Sequence, residues 1–261
     1  MLMAGPQSQP AAATQLTLLG SARRVHDDEL SELYAYPAAG IWVRANFIAS
    51  LDGAAAVDGT TRALGGPVDR ALFNLLRALA DVVLVGAGTV RMENYAGARP
   101  TVTQRQHRAA RGQSEVPPLA IVTKSGHLDR DMPVFTNTEV APLVLTCTAA
   151  AAATRRRLAG IADVVDCSGA DPGRVEETAL LNALTERGLR RVLTEGGPTV
   201  LSSFIERGVL DELCLTIAPC LVGGTAPRIA AGPGQLLTRM SCAHILADDD
   251  GYLYTRYVKA D

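Results

Sequence analysis

The sequence predicts an α/β protein with a mostly parallel central sheet, helices on its flanks and an antiparallel edge near the C-terminus. Three observations carry that expectation. Strand-like runs alternate with segments of helical spacing from about residue 41 to residue 208. One of those runs, DVVLVGAG (81–88), is apolar throughout and ends in glycines, the pattern of a strand buried on both faces. Beyond residue 208 the alternation stops, and two strand-like runs follow with no long helix between them.

Taken in order, IWVRANFIAS (41–50) reads as the first strand. PVDRALFNLLRALA (67–80) carries Val68, Ala71, Leu72, Leu75, Leu76 and Leu79 at the spacing of one helical face. Pro67 suits its first turn, where a missing N–H costs nothing. After DVVLVGAG, the runs LAIVTKS (119–125) and PLVLTC (142–147) are further strands. The intervening TVTQRQHRAARGQSEV (101–116) is polar and arginine-rich and is expected to be a mobile surface loop. Residues 149–159 are helical and ADVVDC (162–167) is a short strand. Asp171 and Pro172 start a helix that runs to about Arg187 and stops at Gly188. RRVLTEGG is a strand, and Pro198 opens a helix with Val200, Leu201, Phe204 and Ile205 on one side. LDELCLTIAPCLVGG (210–224) and GYLYTRYV (251–258) complete the edge.

At 261 residues and 48% hydrophobic composition the chain buries a full core, read here as one domain over 21–261 behind a mobile arm at 1–20. A formal charge of -2 offers no basic surface to a phosphate backbone, which argues against nucleic acid as a partner. Cys147, Cys167, Cys214, Cys220 and Cys242 are odd in number, irregularly spaced and without a C-x-x-C, so they read as reduced thiols rather than disulfides or metal ligands. No signal peptide and no 18-residue apolar segment is evident, and the expected setting is soluble and cytoplasmic with no membrane contact.

Two glycine sites bear on function. Gly196 and Gly197 stand where a strand hands over to a helix opened by Pro198, and Gly86 and Gly88, followed by Thr89, do the same after another strand. Helix-start N–H groups are unpaired, and glycine lets the backbone approach an anion closely, so such turns suit a diphosphate. A tight turn using glycine for positive φ explains either site alone equally well. Ligands in open α/β sheets gather beyond the carboxyl ends of strands, which puts both sites on one rim. GAGTVR is not a full dinucleotide fingerprint, and no P-loop pattern occurs. Thr123, Lys124 and Ser125 close another strand with two hydroxyls and an ammonium, a set that suits a 2′-phosphate or simply a polar strand end. The histidines are scattered, so acid–base work falls to carboxylates, with Asp52, Glu93 and Glu195 each near a strand end or glycine site.

The segments ANFIASLDGAAAVDG, ADVVLVGAGTVRMEN and VLTEGGPTVLSSFIERGVLDELCLTIAPCLVGG, in this order, resemble the pyrimidine reductase of riboflavin biosynthesis, the C-terminal half of a bifunctional deaminase–reductase. The resemblance covers roughly residues 40–225 and implies a dihydrofolate-reductase-like fold, a homodimer, and NADPH as cofactor. The implied reaction reduces the ribosylamino group of 5-amino-6-(5-phosphoribosylamino)uracil to ribitylamino. On the resemblance Gly86, Gly88, Thr89, Gly196, Gly197 and Pro198 lie along the cofactor, Glu195 holds the pyrimidine and Asp52 lies near the nicotinamide. Thr61, Arg77 and Glu93 fall where the family places substrate-contacting residues. No H-x-E precedes a P-C-x-x-C, so a reductase without the deaminase half is expected.

The substrate half departs from the family pattern. Asn46 stands where a lysine is usual, with Arg44 two residues earlier on the same strand face. ENYAGARP replaces the segment whose arginine grips the substrate phosphate, leaving Arg99 as the nearest substitute. ALGGP lacks the usual tryptophan and hydroxyl. Losing a charge-assisted phosphate contact costs on the order of 1.5–3 kcal/mol, at least tenfold in affinity. Two rival expectations follow: a dihydrofolate or pterin reductase on the same fold, and an NADPH-binding sensor without catalysis. The VLDELCLTIAP strand is a candidate dimer edge or a covered edge strand.

Overall fold

The computed structural model of the chain describes residues 23–260, so the expected arm at 1–20 lies outside the described residues. In chain order the elements are α1 (Asp27–Leu33), β1 (Trp42–Ser50), α2 (Pro67–Leu79), β2 (Val82–Gly86), α3 (Ala87–Met92) and α4 (Val102–Ala110). Then come β3 (Leu119–Val122), α5 (Pro133–Thr136), β4 (Leu143–Thr146), α6 (Thr148–Arg157), β5 (Asp163–Asp166) and α7 (Glu177–Glu186). The chain finishes with β6 (Arg191–Thr194), α8 (Pro198–Glu206), β7 (Glu212–Ala218), β8 (Met240–Ala247) and β9 (Leu253–Lys259). The strands among the described residues form a single sheet in the order β5-β4-β3-β2-β6-β1-β7-β9-β8.

The chain steps from β2 outward through β3 and β4 to β5, then returns to lay β6 between β2 and β1. Seven neighbouring strands, β5 through β7 in sheet order, pair in parallel, and β9 and β8 add the antiparallel edge. The carboxyl ends of β3, β2, β6 and β1 therefore stand side by side, as the glycine pattern requires. This is the expected class: a dihydrofolate-reductase-like sheet with an antiparallel end.

Successive residues of β2 feed two cores. Val83 and Val85 join Leu76, Leu79, Ile121 and Leu158 on one face. Val82 and Leu84 join Leu180, Leu184, Leu201 and Phe204 from α7 and α8 on the other. Burial on both faces explains why the run is apolar without alternation. Helix α2 packs through Leu76, Ala78 and Leu79, whereas Val68, expected on its apolar face, is exposed in the first turn.

Several boundaries differ from expectation, each for a local reason. Residues 102–110, expected within a mobile loop, form α4. Thr101 and Gln104 close a capping box at its start, and Arg108 is fully buried, donating to the carbonyls of Ala78 at 3.0 Å, Ala80 at 2.5 Å and Ser114 at 2.7 Å. Arg111 and Gln113 add bonds to Ala78 and Leu79. The last carbonyls of α2 lack intrahelical partners, and α4 satisfies them with side chains instead of an apolar stripe. The helix expected from Asp171 begins at Glu177, capped by Glu176, because the Asp171 carboxylate closes its own turn by accepting the Gly173 N–H. Helices α1 and α5 and strand β8 went unread; the alternation of β8 is broken by a bulge between Cys242 and His244. Strand β7 is not an edge, since it pairs with β1 on one side and β9 on the other.

Candidate active site at the sheet rim

The two glycine sites form one floor. The Gly86 N–H donates to the Gly196 carbonyl at 2.6 Å. A Cβ on Gly86 would stand 3.1 Å from Val200 Cγ2 and 3.2 Å from the Gly197 nitrogen, and one on Gly197 would stand 2.6 Å from Thr89 Oγ1. Backbone therefore meets backbone between β2 and β6, which only glycine permits. Gly196 sits at φ +102° with the Phe47 ring 3.1 Å from where a Cβ would lie, and its peptide with Gly197 is cis. Gly88 is different: it is exposed and a Cβ there meets nothing within 4 Å. Pro198 occupies the first turn of α8, whose remaining N–H groups open on the same rim. The residues thus fit a diphosphate-bearing cofactor, with a close-packed floor and open backbone at Gly88.

Beside this floor, β6 ends in a buried ion pair. Arg77 of α2 grips Glu195 with both arms, Nε to Oε1 and Nη2 to Oε2, each at 2.7 Å. The Tyr95 hydroxyl donates to Glu195 Oε2 at 2.8 Å. The Arg77 guanidinium lies 4.2 Å over the Phe73 ring and 5.5 Å over that of Tyr95. Glu195 is 2% exposed and Arg77 17%, so the pair is shielded and its fork geometry holds the carboxylate in one orientation. Burial and then the Glu195 charge push the Tyr95 hydroxyl well up, so it stays a proton donor. Burial works against the Arg77 cation, but the Glu195 carboxylate and its hydrogen bonds more than offset this and raise it.

Asp52, at the end of β1, is exposed and clasps the loop after β7. It accepts from the Ser50 hydroxyl, from Gly223 N–H at 2.7 Å and from Val222 N–H at 3.1 Å. Those bonds, that of Ser50 first, hold its carboxyl down at about 2. A tight Asp58–Gly59 turn, closed by a Val57–Thr60 bridge, returns the chain so that the Thr61 N–H donates to Glu93 Oε1 at 2.8 Å. Thr61 is thus joined to Glu93 and Arg77 to Glu195, pairings that the resemblance did not give. Asn46 is half-buried on β1 opposite Cys214. Arg44 of the same face is drawn away into a buried bond with Glu212 at 2.6 Å. Arg99 is exposed, bonds Asn137 and lines a crevice with Arg77, Asn74 and Gln104. At the end of β3 the Thr123 hydroxyl is turned inward to accept the Gly126 N–H, while Lys124 and Ser125 are exposed.

Sequence reading missed Tyr95, Phe73 and Phe47, which orient Glu195, Arg77 and Gly196. A phenol within ENYAGARP, in the very segment that departs from the family, was the available signal for Tyr95.

The family model described as the RibD C-terminal domain matches residues 41–254. A 2,5-diamino-6-ribosylamino-4(3H)-pyrimidinone 5′-phosphate reductase of Archaeoglobus fulgidus is 30% identical over 197 residues, 75% of this chain and 88% of that protein. The riboflavin biosynthesis protein RibD of Bacillus amyloliquefaciens is 30% identical over 188 residues, 71% of this chain but 48% of that longer protein. A solved pyrimidine reductase-like protein from Corynebacterium diphtheriae superposes with a TM-score of 0.77 at 25% identity, covering 88% of this chain and 99% of that one. With three motif segments, the rim they build and these matches in agreement, the chain belongs to the RibD C-terminal domain family.

Proposed function

We propose that this chain is an NADPH-dependent reductase of riboflavin biosynthesis, acting on the phosphoribosylamino group of an aminopyrimidine such as 5-amino-6-(5-phosphoribosylamino)uracil. The observation that carries the reading is the fused glycine floor lying against the Arg77–Glu195–Tyr95 unit at the end of β6. When bound, the nicotinamide supplies a hydride. Gly86, Gly88, Thr89, Gly196, Gly197 and Pro198 receive the diphosphate, and exposed Lys124 and Ser125, with Thr123 shaping their turn, receive the 2′-phosphate. Arg77 and Tyr95 keep Glu195 fixed in one orientation to accept an N–H of the heterocycle. Asp52 secures the loop that covers the nicotinamide end, and Asn46, Thr61, Glu93 and Arg99 line the substrate side.

The test is oxidation of NADPH at 340 nm with three substrates in parallel: the ribosylaminouracil phosphate, its 2,5-diaminopyrimidinone counterpart, and dihydrofolate. Turnover on either pyrimidine phosphate is expected. One observation favours the pterin reading: Arg77 is committed to Glu195 and Arg99 to Asn137, so the phosphate-gripping arginine has no evident replacement. Turnover on dihydrofolate alone would establish that reading, and tight NADPH binding without turnover would make the chain a sensor.

The working form we propose is a homodimer in the cytoplasm. On β7 the buried positions are Glu212, Cys214, Thr216 and Ala218, while Leu213, Leu215 and Ile217 are half-exposed. The register puts Tyr257 and Leu253 of β9 and Ile245 of β8 on that same uncharged face, with Thr255 buried between them by its bond to the Leu215 carbonyl. An apolar sheet face turned outward suits a second copy presenting the same face. Leu215→Glu is expected to convert a dimer to a monomer by light scattering; a wild-type monomer would overturn the proposal. The described cysteines are free, which fits a reducing compartment, and no helix among the described residues is long and apolar enough to cross a membrane.

A further inference from the structure

A ribosylamino group presents a C=N bond once its ring C1′–O4′ bond opens and the N–H proton passes to O4′. Reduction of that C=N needs a proton as well as a hydride. The hydride forms a C–H bond, the π pair moves to nitrogen, and nitrogen takes a proton. The carboxylates named so far are poorly placed to give one. Glu195 accepts three hydrogen bonds, two of them from a guanidinium. Asp52 is held down at about 2 by the Ser50 hydroxyl and then by the loop N–H groups. Glu93 accepts the Thr61 amide.

A fourth carboxyl, unread in the sequence, lies in the first turn of α2. Asp69 is half-buried and meets the Thr216 hydroxyl of β7. Thr216 pairs with Ile48 of β1 near the carboxyl ends of both strands, which sets Asp69 at the rim. A Cβ on Gly65 would stand 3.0 Å from Asp69 Oδ2, so the bare backbone of Gly65 leaves the carboxyl its room. Asp69, Phe73 and Arg77 are spaced four residues apart and fall on one stripe of α2. That stripe runs from the end of β7 at Thr216 to the end of β6 at Glu195. The charged and titratable groups around Asp69 are Arg70 on its own helix, Tyr252 just before β9 and Tyr254 within it. Burial outweighs the Thr216 bond and the Arg70 charge and moves the Asp69 carboxyl up, the direction a proton donor requires.

We infer that Asp69 is the proton donor of this site, its carboxyl hydrogen-bonding the heterocycle from the α2 stripe that also carries Arg77 and protonating nitrogen as hydride reaches the adjacent carbon. The resulting carboxylate is reprotonated from water. This rests on the reductase reading above. The test compares wild type with Asp69→Asn, Asp69→Glu and Thr216→Val for NADPH affinity, melting temperature and kcat across pH. Asp69→Asn is expected to lower kcat roughly 100-fold or more, with NADPH affinity within about twofold. In wild type, activity falls as pH rises through the Asp69 pKa. Asp69→Asn loses that basic limb and Asp69→Glu retains it. Thr216→Val, which removes a donor to the carboxylate, moves the limb to higher pH. A folded Asp69→Asn with wild-type kcat, or a limb unmoved in Thr216→Val, would overturn the inference alone. No turnover by wild type on any of the three substrates would overturn the reductase reading and the inference together.

Discussion

Replacing Glu212 by glutamine is expected to destabilise the folded chain by about 3–5 kcal/mol, because it leaves buried cations without their anion. Glu212 is fully buried and accepts from Arg44 Nε at 2.6 Å, Arg256 Nε at 2.7 Å and Trp42 Nε1 at 2.8 Å. Arg44 is 0% exposed and Arg256 16%, so water cannot take over the lost charge for either. Burial alone would push the Glu212 carboxyl up; the bond from Arg256 and the charge of Arg44 reverse that and leave it below its ordinary range. Arg44 also donates to the Tyr34 carbonyl at 2.8 Å and Arg256 to the Leu33 carbonyl at 2.9 Å. The node therefore ties the end of α1 to β1, β7 and β9. Glutamine keeps the shape and one carbonyl oxygen but cancels the charge. The expected fall in melting temperature is roughly 6–20 °C for a chain of this size. A loss below about 2 °C in thermal unfolding would show that the node is incidental.

That node illustrates what a sequence hides. Arg44, Glu212 and Arg256 are far apart in the chain, and nothing local marks any of them as buried. On β7 Glu212 and Thr216 are buried, Glu212 meeting the two arginines, while Leu213, Leu215 and Ile217 are only half-buried. A reading by hydrophobic alternation assigns those faces the wrong way round. Helix α4 is hidden for a related reason: its hold on α2 is made by Arg108, whose burial depends on carbonyls elsewhere in the chain. The glycine floor was legible because it is a backbone requirement. Gly86 and Gly197 are written into the chain wherever two strand ends must touch, and parallel order alone brings them together. Glu195 was legible as a carboxylate beside a glycine site and Arg77 through family resemblance, but their pairing, and the role of Tyr95 in it, needed the fold. Asp69 escaped because first-turn acids are common on helices for reasons of dipole alone.

The glycine floor yields the second large effect, and the choice of glycine decides what the experiment means. A valine at Gly196 would meet the Phe47 ring and force a branched residue to φ +102°, so the fold itself would suffer. Gly197 is little better, with Thr89 Oγ1 2.6 Å from the new Cβ. Gly88 separates cofactor from fold. It lies in the first turn of α3, its φ is not in the left-handed region, and a Cβ there meets no protein atom within 4 Å. Gly88→Val therefore costs the apo protein little, since even a β-branched residue ranks above glycine in helix propensity. Where the open space belongs to a bound diphosphate, the same isopropyl group displaces it. NADPH affinity is expected to fall about 100-fold, near 2.7 kcal/mol, with the melting temperature of the apo protein almost unchanged. Fluorescence titration of NADPH with a parallel melt of the apo protein measures both. Unchanged affinity in a folded Gly88→Val would place the diphosphate elsewhere on the rim and leave the glycine floor as strand-end packing only.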